Sequence, residues 1–391
     1  MGDGLCDVRV LDGRIAQLGT GLVAGADAQV LDGQGGLLLP GLVEAHTHLD
    51  KTQWGLPWWR NTVGPALKDR IEADRTWRVA SGLDAHTQSL GLAKAFLANG
   101  TTRLRTHVDV DTQAGLQHFE GVMRTKAAMS PWMDIQVVVF PQSGMLGRPG
   151  TAALLEQALL AGADVLGGLD PQGIEGDGPA ALDVLFGIAQ RTGKPMDIHL
   201  HEPGELGAQS LGWILDRVQA QGLQGQVMIS HCYCLGDIAH AQRDALLARM
   251  AQLQVSIATS GTASRPVPDL RACHQAQVLM AGGNDGIRDT WGPYGTPDML
   301  ERAKLIAWRY DFYRDEDIEL ALHTVTDHAA QACGFANYGL QVGARADLVV
   351  VQAQCAAEAV IAKPERQWVI AAGEVVARNG KLLENCSLAL A

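Results

Sequence analysis

Clustered positive charge is what this sequence most clearly lacks. Lys and Arg number 31 against 43 Asp and Glu, a formal net charge of −12. No basic run or arginine-rich patch breaks the acidic balance. Nucleic acids and anionic membrane surfaces are held through grouped Lys and Arg, so neither is an expected partner. The acidic balance says nothing against a small neutral ligand. Long apolar runs are missing too: no stretch approaches the ~18 consecutive apolar residues of a membrane-spanning helix. The opening MGDGLCDVRV has neither the basic nor the apolar region of a secretory signal. Cysteine is sparse and unpatterned. There are seven, an odd number, and Cys232 and Cys234 form a C-x-C pair with no second pair to complete a zinc knuckle. Reduced thiols in a cytoplasmic protein are the expectation.

What is present suits one large domain with an appendage. The chain has 391 residues, 47% of them hydrophobic, enough for a substantial core. The first ~40 residues read as short strands and turns. VRVLDGRIAQLG is a hairpin around Asp12-Gly13, and AQVLDGQGGLLLPG repeats the style. The C-terminal end matches, with strands expected over Ala346–Val351 and Trp368–Arg378. Between them, short apolar runs alternate with helical stretches. GLVEAHTH, TTRLRTHVDV, MDIQVVVF, DVLGGLD, PMDIHLHE, QVMISHCY, VSIATS and QVLMAGGND make eight strand candidates. Regular β–α alternation implies parallel strands with helical crossovers, and eight units imply a closed barrel. The expected fold is α/β: a (β/α)8 TIM barrel over residues 40–340, with a small β-sandwich built from both chain ends, 1–39 and 341–391.

A buried parallel strand should be apolar throughout. Several candidates break that rule at their C-terminal ends. His46, His48, His107, Gln142, Asp170, His199, His201, His231 and Asp285 all fall at or just after a strand. In a (β/α)8 barrel that rim is where active sites are built. His46 and His48 are two apart, so on a strand they share a face. A lone H-x-H is more often a hydrogen-bonded pair than a metal site, but this one ends a strand opposite other histidines. Histidines joined by the carboxylate of Asp285 suit a borderline divalent ion. Such an ion lowers the pKa of a bound water to about 7.

These motifs resemble the cytosine deaminase-like branch of the amidohydrolase superfamily, which includes cytosine deaminases and triazine N-alkylaminohydrolases. The resemblance runs over essentially the whole chain, through LPGLVEAHTHLDK, LRTHVDVD, DIQVVVFPQSG, GADVLGGLDP, DIHLHE, ISHCYC and NDGIRDTWGPYG. It implies that His46, His48, His199 and Asp285 bind one divalent metal, zinc or iron. It further implies that Asp285 takes a proton from the attacking water while His231 orients that water. Glu202 occupies the position of the proton-shuttling acid, Gln142 that of a contact to the ring's carbonyl and NH edge, and Trp291 that of a pocket wall. Members with two metals carry a carboxylated lysine on the fourth strand. Here that strand reads DVLGGLD, so a single ion is expected.

Some roles stay open at this level. Strict alternation puts His199 and His201 on one face and Glu202 on the other, so His201 rivals Glu202 as the acid. Lys51 contacts substrate or pairs with an acid. Asp170 contacts substrate or anchors a loop. His107 and Asp109 suit packing or support of the site. Trp54, Trp58 and Trp59 line the pocket or form a lid. The expected function is hydrolytic deamination of a cytosine-like cyclic amidine, releasing ammonia. The alternative is an N-alkylaminohydrolase acting on an s-triazine such as N-isopropylammelide. Ring opening of a cyclic amide is disfavoured by the missing lysine, and a catalytically silent metal-binding barrel by the intact residue set. The expected partner is a small heterocyclic substrate, and self-association into a homo-oligomer is compatible with the sequence.

Overall fold

The eight apolar runs form parallel strands, in order β1 (Leu42–Thr47), β2 (Thr101–Asp109), β3 (Asp134–Phe140), β4 (Val165–Leu169), β5 (Met196–His199), β6 (Val227–Ser230), β7 (Ser256–Thr259) and β8 (Met280–Gly282). The computed structural model describes residues 4–64 and 66–386, so residues 1–3 and 387–391 of the expected appendage lie outside the described residues. Each strand pairs with its neighbour in sequence order. Both faces are covered, as parallel strands require: Val137, Val138 and Val139 are consecutive in β3 and all fully buried.

Helices return the chain between strands, and their ends are written in the sequence. Gly178–Thr192 starts where Asp177 accepts a hydrogen bond from the Ala180 N–H, with Pro179 in the first turn. It stops at Gly193, whose φ of 64° suits a residue without Cβ. Such an N-cap contributes about 1 kcal/mol. The helix buries Leu182, Leu185, Phe186 and Ile188 against the barrel. Among the described residues, no helix is long and apolar enough to cross a membrane.

The barrel closes between β8 and β1 without a continuous ladder. A single bridge joins Thr47 and Asp285, with the Asp285 N–H donating to the His46 carbonyl at 2.8 Å. Below it, the Thr324–Val325 segment accepts from Gly282 on one side and Val43 on the other. Gly283 fits this seam because it has no side chain. A Cβ there would lie 2.5–2.6 Å from the His46 backbone and Cβ. Gly283→Ala should therefore destabilise by about 1–3 kcal/mol and displace the neighbouring Asp285. Urea unfolding of the variant checks the first effect, and its metal content the second.

The chain ends form the expected antiparallel appendage. Asp7–Leu11 and Arg14–Gly19 pair as the Asp12-Gly13 hairpin, both turn residues having positive φ. A five-stranded sheet joins Leu37–Pro40 to Leu348–Val351, then Arg366–Ala371, Glu374–Arg378 and Lys381–Leu382. Ile15, Ala346, Leu348 and Ile370 pack between hairpin and sheet. Two details differ from expectation. The run Trp368–Arg378 is a hairpin, reversed at Ala372-Gly373, both with positive φ. In AQVLDGQGGLLLPG only Leu37–Pro40 is a strand. The glycine-rich part before it turns locally, with Asp32 accepting from the Gln34 N–H.

Candidate active site

Parallel register brings the strand ends level. His199 pairs with Leu169 on one side and Ser230 on the other, and Ser230 with Ala258. Residues just beyond these positions therefore share one rim. Three of them, Asp170 (φ 27°), His231 (φ 72°) and Asp285 (φ 62°), leave the strand in the left-handed region. Each such conformation costs a non-glycine residue on the order of 1 kcal/mol. Strain of this kind concentrates at functional sites, and here it marks one.

His46 and His48 do share a face, with ring centres 5.5 Å apart. His199 lies 4.8 Å from His46 and 5.8 Å from His48. His231 lies 5.0 Å from His46. Asp285 Oδ1 sits 3.2 Å from His48 Nε2 and 3.6 Å from His46 Nε2, while Oδ2 sits 3.9 Å from His231 Nε2. His46 Nε2 and both ring nitrogens of His199 and His231 are buried without a hydrogen-bond partner. Burial, with Lys51 nearby, pushes His48 down to about 4, and burial with neighbouring histidines holds His199 and His231 well below their ordinary range. Neutral imidazoles with unshared lone pairs, converging on one carboxylate, are the donor set of a divalent metal. The residues fit such an ion. Burial alone would raise the Asp285 carboxyl, but the His231, His46 and His48 rings around it hold it well below its ordinary range.

His201 and Glu202 are separated as the end of β5 dictates, because the strand stops at His199. The His201 ring stacks on His231 at 4.6 Å. Its Nδ1 and backbone N–H both donate to Asp170, at 2.7 and 2.6 Å. Burial disfavours the imidazolium, yet Asp170 and Asp285 raise His201 above its usual value. Asp170 thus has both oxygens on His201. Glu202 points into the loop after β4. Its Oε1 accepts the Gln172 and Gly173 N–H groups at 2.7 and 2.8 Å, and its Oε2 accepts the Ser210 hydroxyl.

On the other side, Lys51 is buried with its Nζ 3.2 Å from Asp109 Oδ1 and 3.0 Å from Gln142 Oε1. It lies 5.5 Å from the Trp291 ring and 5.7 Å from Phe140, which stacks on His199 at 4.6 Å. Burial would raise Asp109, but Lys51 and Arg78 hold it down to about 2. The Trp291 indole N–H is buried without a partner. Of the tryptophans after β1, Trp54 packs on the core while Trp58 is exposed, and Arg288 lies over both rings. The loop is latched to the one after β8 by Gln53 N–H to Arg288 O and Thr52 hydroxyl to Ile287 O.

Several supporting residues escape a reading from sequence. Glu44 accepts from the His46 N–H at 2.9 Å and the Asn284 side chain at 2.6 Å, and Arg302 donates to Asn284 Oδ1. This bridges β1 to the residue before Asp285. Ser230, Asp197 and Arg105 lie beneath His46. His107 packs against His46 at 4.0 Å, with Nε2 3.6 Å from Asp197. Strand-interior polarity, unusual in a parallel strand, singled out His107 and could have flagged Glu44, Arg105, Asp197 and Ser230; Asn284 and Arg302 lie outside the strands and carry no such signal.

The profile of the amidohydrolase family matches residues 29–377. The chain belongs to the amidohydrolase family, and it is a hydrolase of carbon–nitrogen bonds. It is similar to the N-isopropylammelide isopropyl amidohydrolase of Pseudomonas sp. (strain ADP), 28% identical over 96% of this chain and 94% of that one. The crystal structure of N-isopropylammelide isopropylaminohydrolase from Burkholderia multivorans ATCC 17616 superposes with a TM-score of 0.95 at 57% identity, covering 97% of this chain and 96% of that one. The 5-methylcytosine deaminase from Klebsiella pneumoniae, liganded with 5-fluorocytosine, gives 0.86 at 27% identity over 98% and 96%.

Proposed function

We propose that this protein hydrolyses the exocyclic carbon–nitrogen bond of an oxo-substituted triazine of the N-alkylammelide type, releasing an alkylamine. The observation that carries this reading is the Lys51–Gln142 pair. With its oxygen bonded to Lys51, Gln142 has its NH2 group free to donate to substrate. Together with Lys51 and the Trp291 indole N–H, it makes a wall of hydrogen-bond donors. Such a wall suits ring carbonyl oxygens better than a ring NH. The 57% identity to the Burkholderia enzyme supports the alkylamine as leaving group.

His46, His48, His199 and Asp285 would hold one divalent ion, zinc or iron. Bound there, the ion would supply Lewis acidity and a water that is nucleophilic at neutral pH. His231 orients the attacking water, and Asp285 accepts its proton. His201, its Nδ1 committed to Asp170, presents Nε2 to the ring and delivers a proton toward the departing amine. Glu202 anchors the loop after β4.

Offering N-isopropylammelide, cytosine and 5-methylcytosine in parallel, with the released amine identified by mass spectrometry, tests this. Isopropylamine release at least about a hundredfold faster than ammonia release from either pyrimidine is expected, because polar groups left unpaired penalise the wrong ring. Preferential ammonia release from a pyrimidine would overturn it.

Deamination of an aminopyrimidine is the second reading, favoured by the presence of Glu202 beside His201 and by the likeness to 5-methylcytosine deaminase. Glu202→Gln separates the two. A shuttling acid should cost about 10²–10⁴-fold in kcat when removed. A loop anchor should cost less than about tenfold, with a lower melting temperature, because the amide nitrogen cannot accept the bonds that Glu202 accepts.

A further inference from the structure

Beneath the histidine cluster lies a buried polar chain that the proposed reaction does not use. Asp197, two residues before His199 on β5, is fully buried. Its Oδ2 accepts from Arg105 Nη1 at 3.1 Å and its Oδ1 from the Ser230 hydroxyl at 2.6 Å. Ser230 Oγ lies 2.8 Å from His46 Nδ1. Arg105 is committed further, to Gln136 Oε1 at 2.9 Å and to the Cys333 carbonyl at 3.0 Å. A buried ion pair costs several kcal/mol in desolvation per ion before its attraction is counted. Its place here calls for a use.

Proton accounting along the chain has one solution. Arg105 is always charged and donates, so Asp197 beside it is the anion and only accepts. Ser230 has a single hydroxyl proton. At 2.6 Å from a carboxylate oxygen, a distance typical of a charge-assisted bond, that proton goes to Asp197. Ser230 Oγ can then only accept from His46, so His46 Nδ1 carries the ring proton. Its Nε2 is left with a bare lone pair. That atom faces Asp285 at 3.6 Å, is buried, and has no hydrogen-bond partner. A neutral imidazole without such a partner populates both tautomers, one of which would turn a proton toward the ion.

We propose that Ser230 and Asp197 are positioning residues that fix His46 in its metal-binding tautomer and orientation before any ion arrives, with Arg105 holding the Asp197 charge in place. The inference rests on the reading of His46 as a metal ligand.

Metal affinity tests it directly, without reference to turnover. Metal-free parent, Ser230→Ala, Ser230→Thr, Asp197→Asn and Ile198→Val would be titrated with zinc against a chromophoric chelator. Cobalt-loaded samples would be compared by visible absorption, and the metal-free proteins by thermal unfolding. Ser230→Ala should weaken zinc about 10–100-fold and alter the cobalt spectrum, as loss of a ligand's outer partner does. Ser230→Thr, which keeps the hydroxyl, should restore affinity to within about threefold. Asp197→Asn should weaken zinc at least as much as Ser230→Ala if it folds, and Ser230→Ala carries the test if it does not. Ile198→Val removes a buried methylene on the same strand, so it should lower stability and leave affinity unchanged. Parent-like zinc affinity and cobalt spectrum in Ser230→Ala would overturn the proposal while leaving the metal site intact. Failure of the parent itself to take up metal would overturn both.

Discussion

Asp285→Asn is expected to strip the protein of tightly held metal and to lower turnover by about 10⁴-fold or more, the scale on which removing a central catalytic group acts. The argument is one of charge and geometry. His46, His48 and His231 all face this carboxylate, at 3.2–3.9 Å. Burial keeps at least His48, His199 and His231 neutral. Without Asp285, a divalent ion would meet neutral imidazoles in a buried place with no compensating charge. The attacking water would also lose its proton acceptor. Stability gives an independent readout. An ion binding only the folded state raises the melting temperature, by the equivalent of about 4 kcal/mol at a thousand times its dissociation constant. Zinc should raise the melting temperature of the parent and leave that of Asp285→Asn unchanged. An equal rise in both would place the ion elsewhere.

The second large effect is expected at His201. His201→Asn should lower kcat by about 10²–10⁴-fold, the range for losing a general acid, with metal content unchanged. Asp170→Asn should show a smaller loss, about tenfold or more, because the imidazole remains but loses the carboxylate that fixes its Nδ1 proton. Steady-state kinetics alongside metal analysis checks both. The order matters: His201→Asn falling well below Glu202→Gln assigns the proton to the His201–Asp170 pair. The reverse order would return it to Glu202 and favour the aminopyrimidine reading.

The barrel was legible because most of its strands are short apolar runs, several of them closed by a polar residue, and polar side chains at strand ends are too costly to bury without a purpose. His46, His48, His199, His231 and Asp285 stood out on that ground, and the structure brings them to one point. Direction beyond a strand end was less legible. His201 and Glu202 are adjacent, and only the end of β5 at His199 decides that one stacks on His231 while the other enters the loop after β4. The supporting residues were hidden for a different reason. Glu44 meets Asn284 across 240 residues, and Arg105 meets Asp197 across 92. Such partners are set by strand register around the barrel, which no local pattern encodes. Trp368–Arg378 shows the same limit at short range, since Ala372 takes a positive φ that its identity does not advertise.

Amine release as a function of metal loading tests the account most directly. The protein would be freed of metal with a chelator, then titrated with zinc or ferrous iron while isopropylamine release from N-isopropylammelide is followed. Activity should rise linearly from near zero and level off at one equivalent of metal per chain. Full turnover in the metal-free protein, or no turnover on this substrate at any loading, would contradict it.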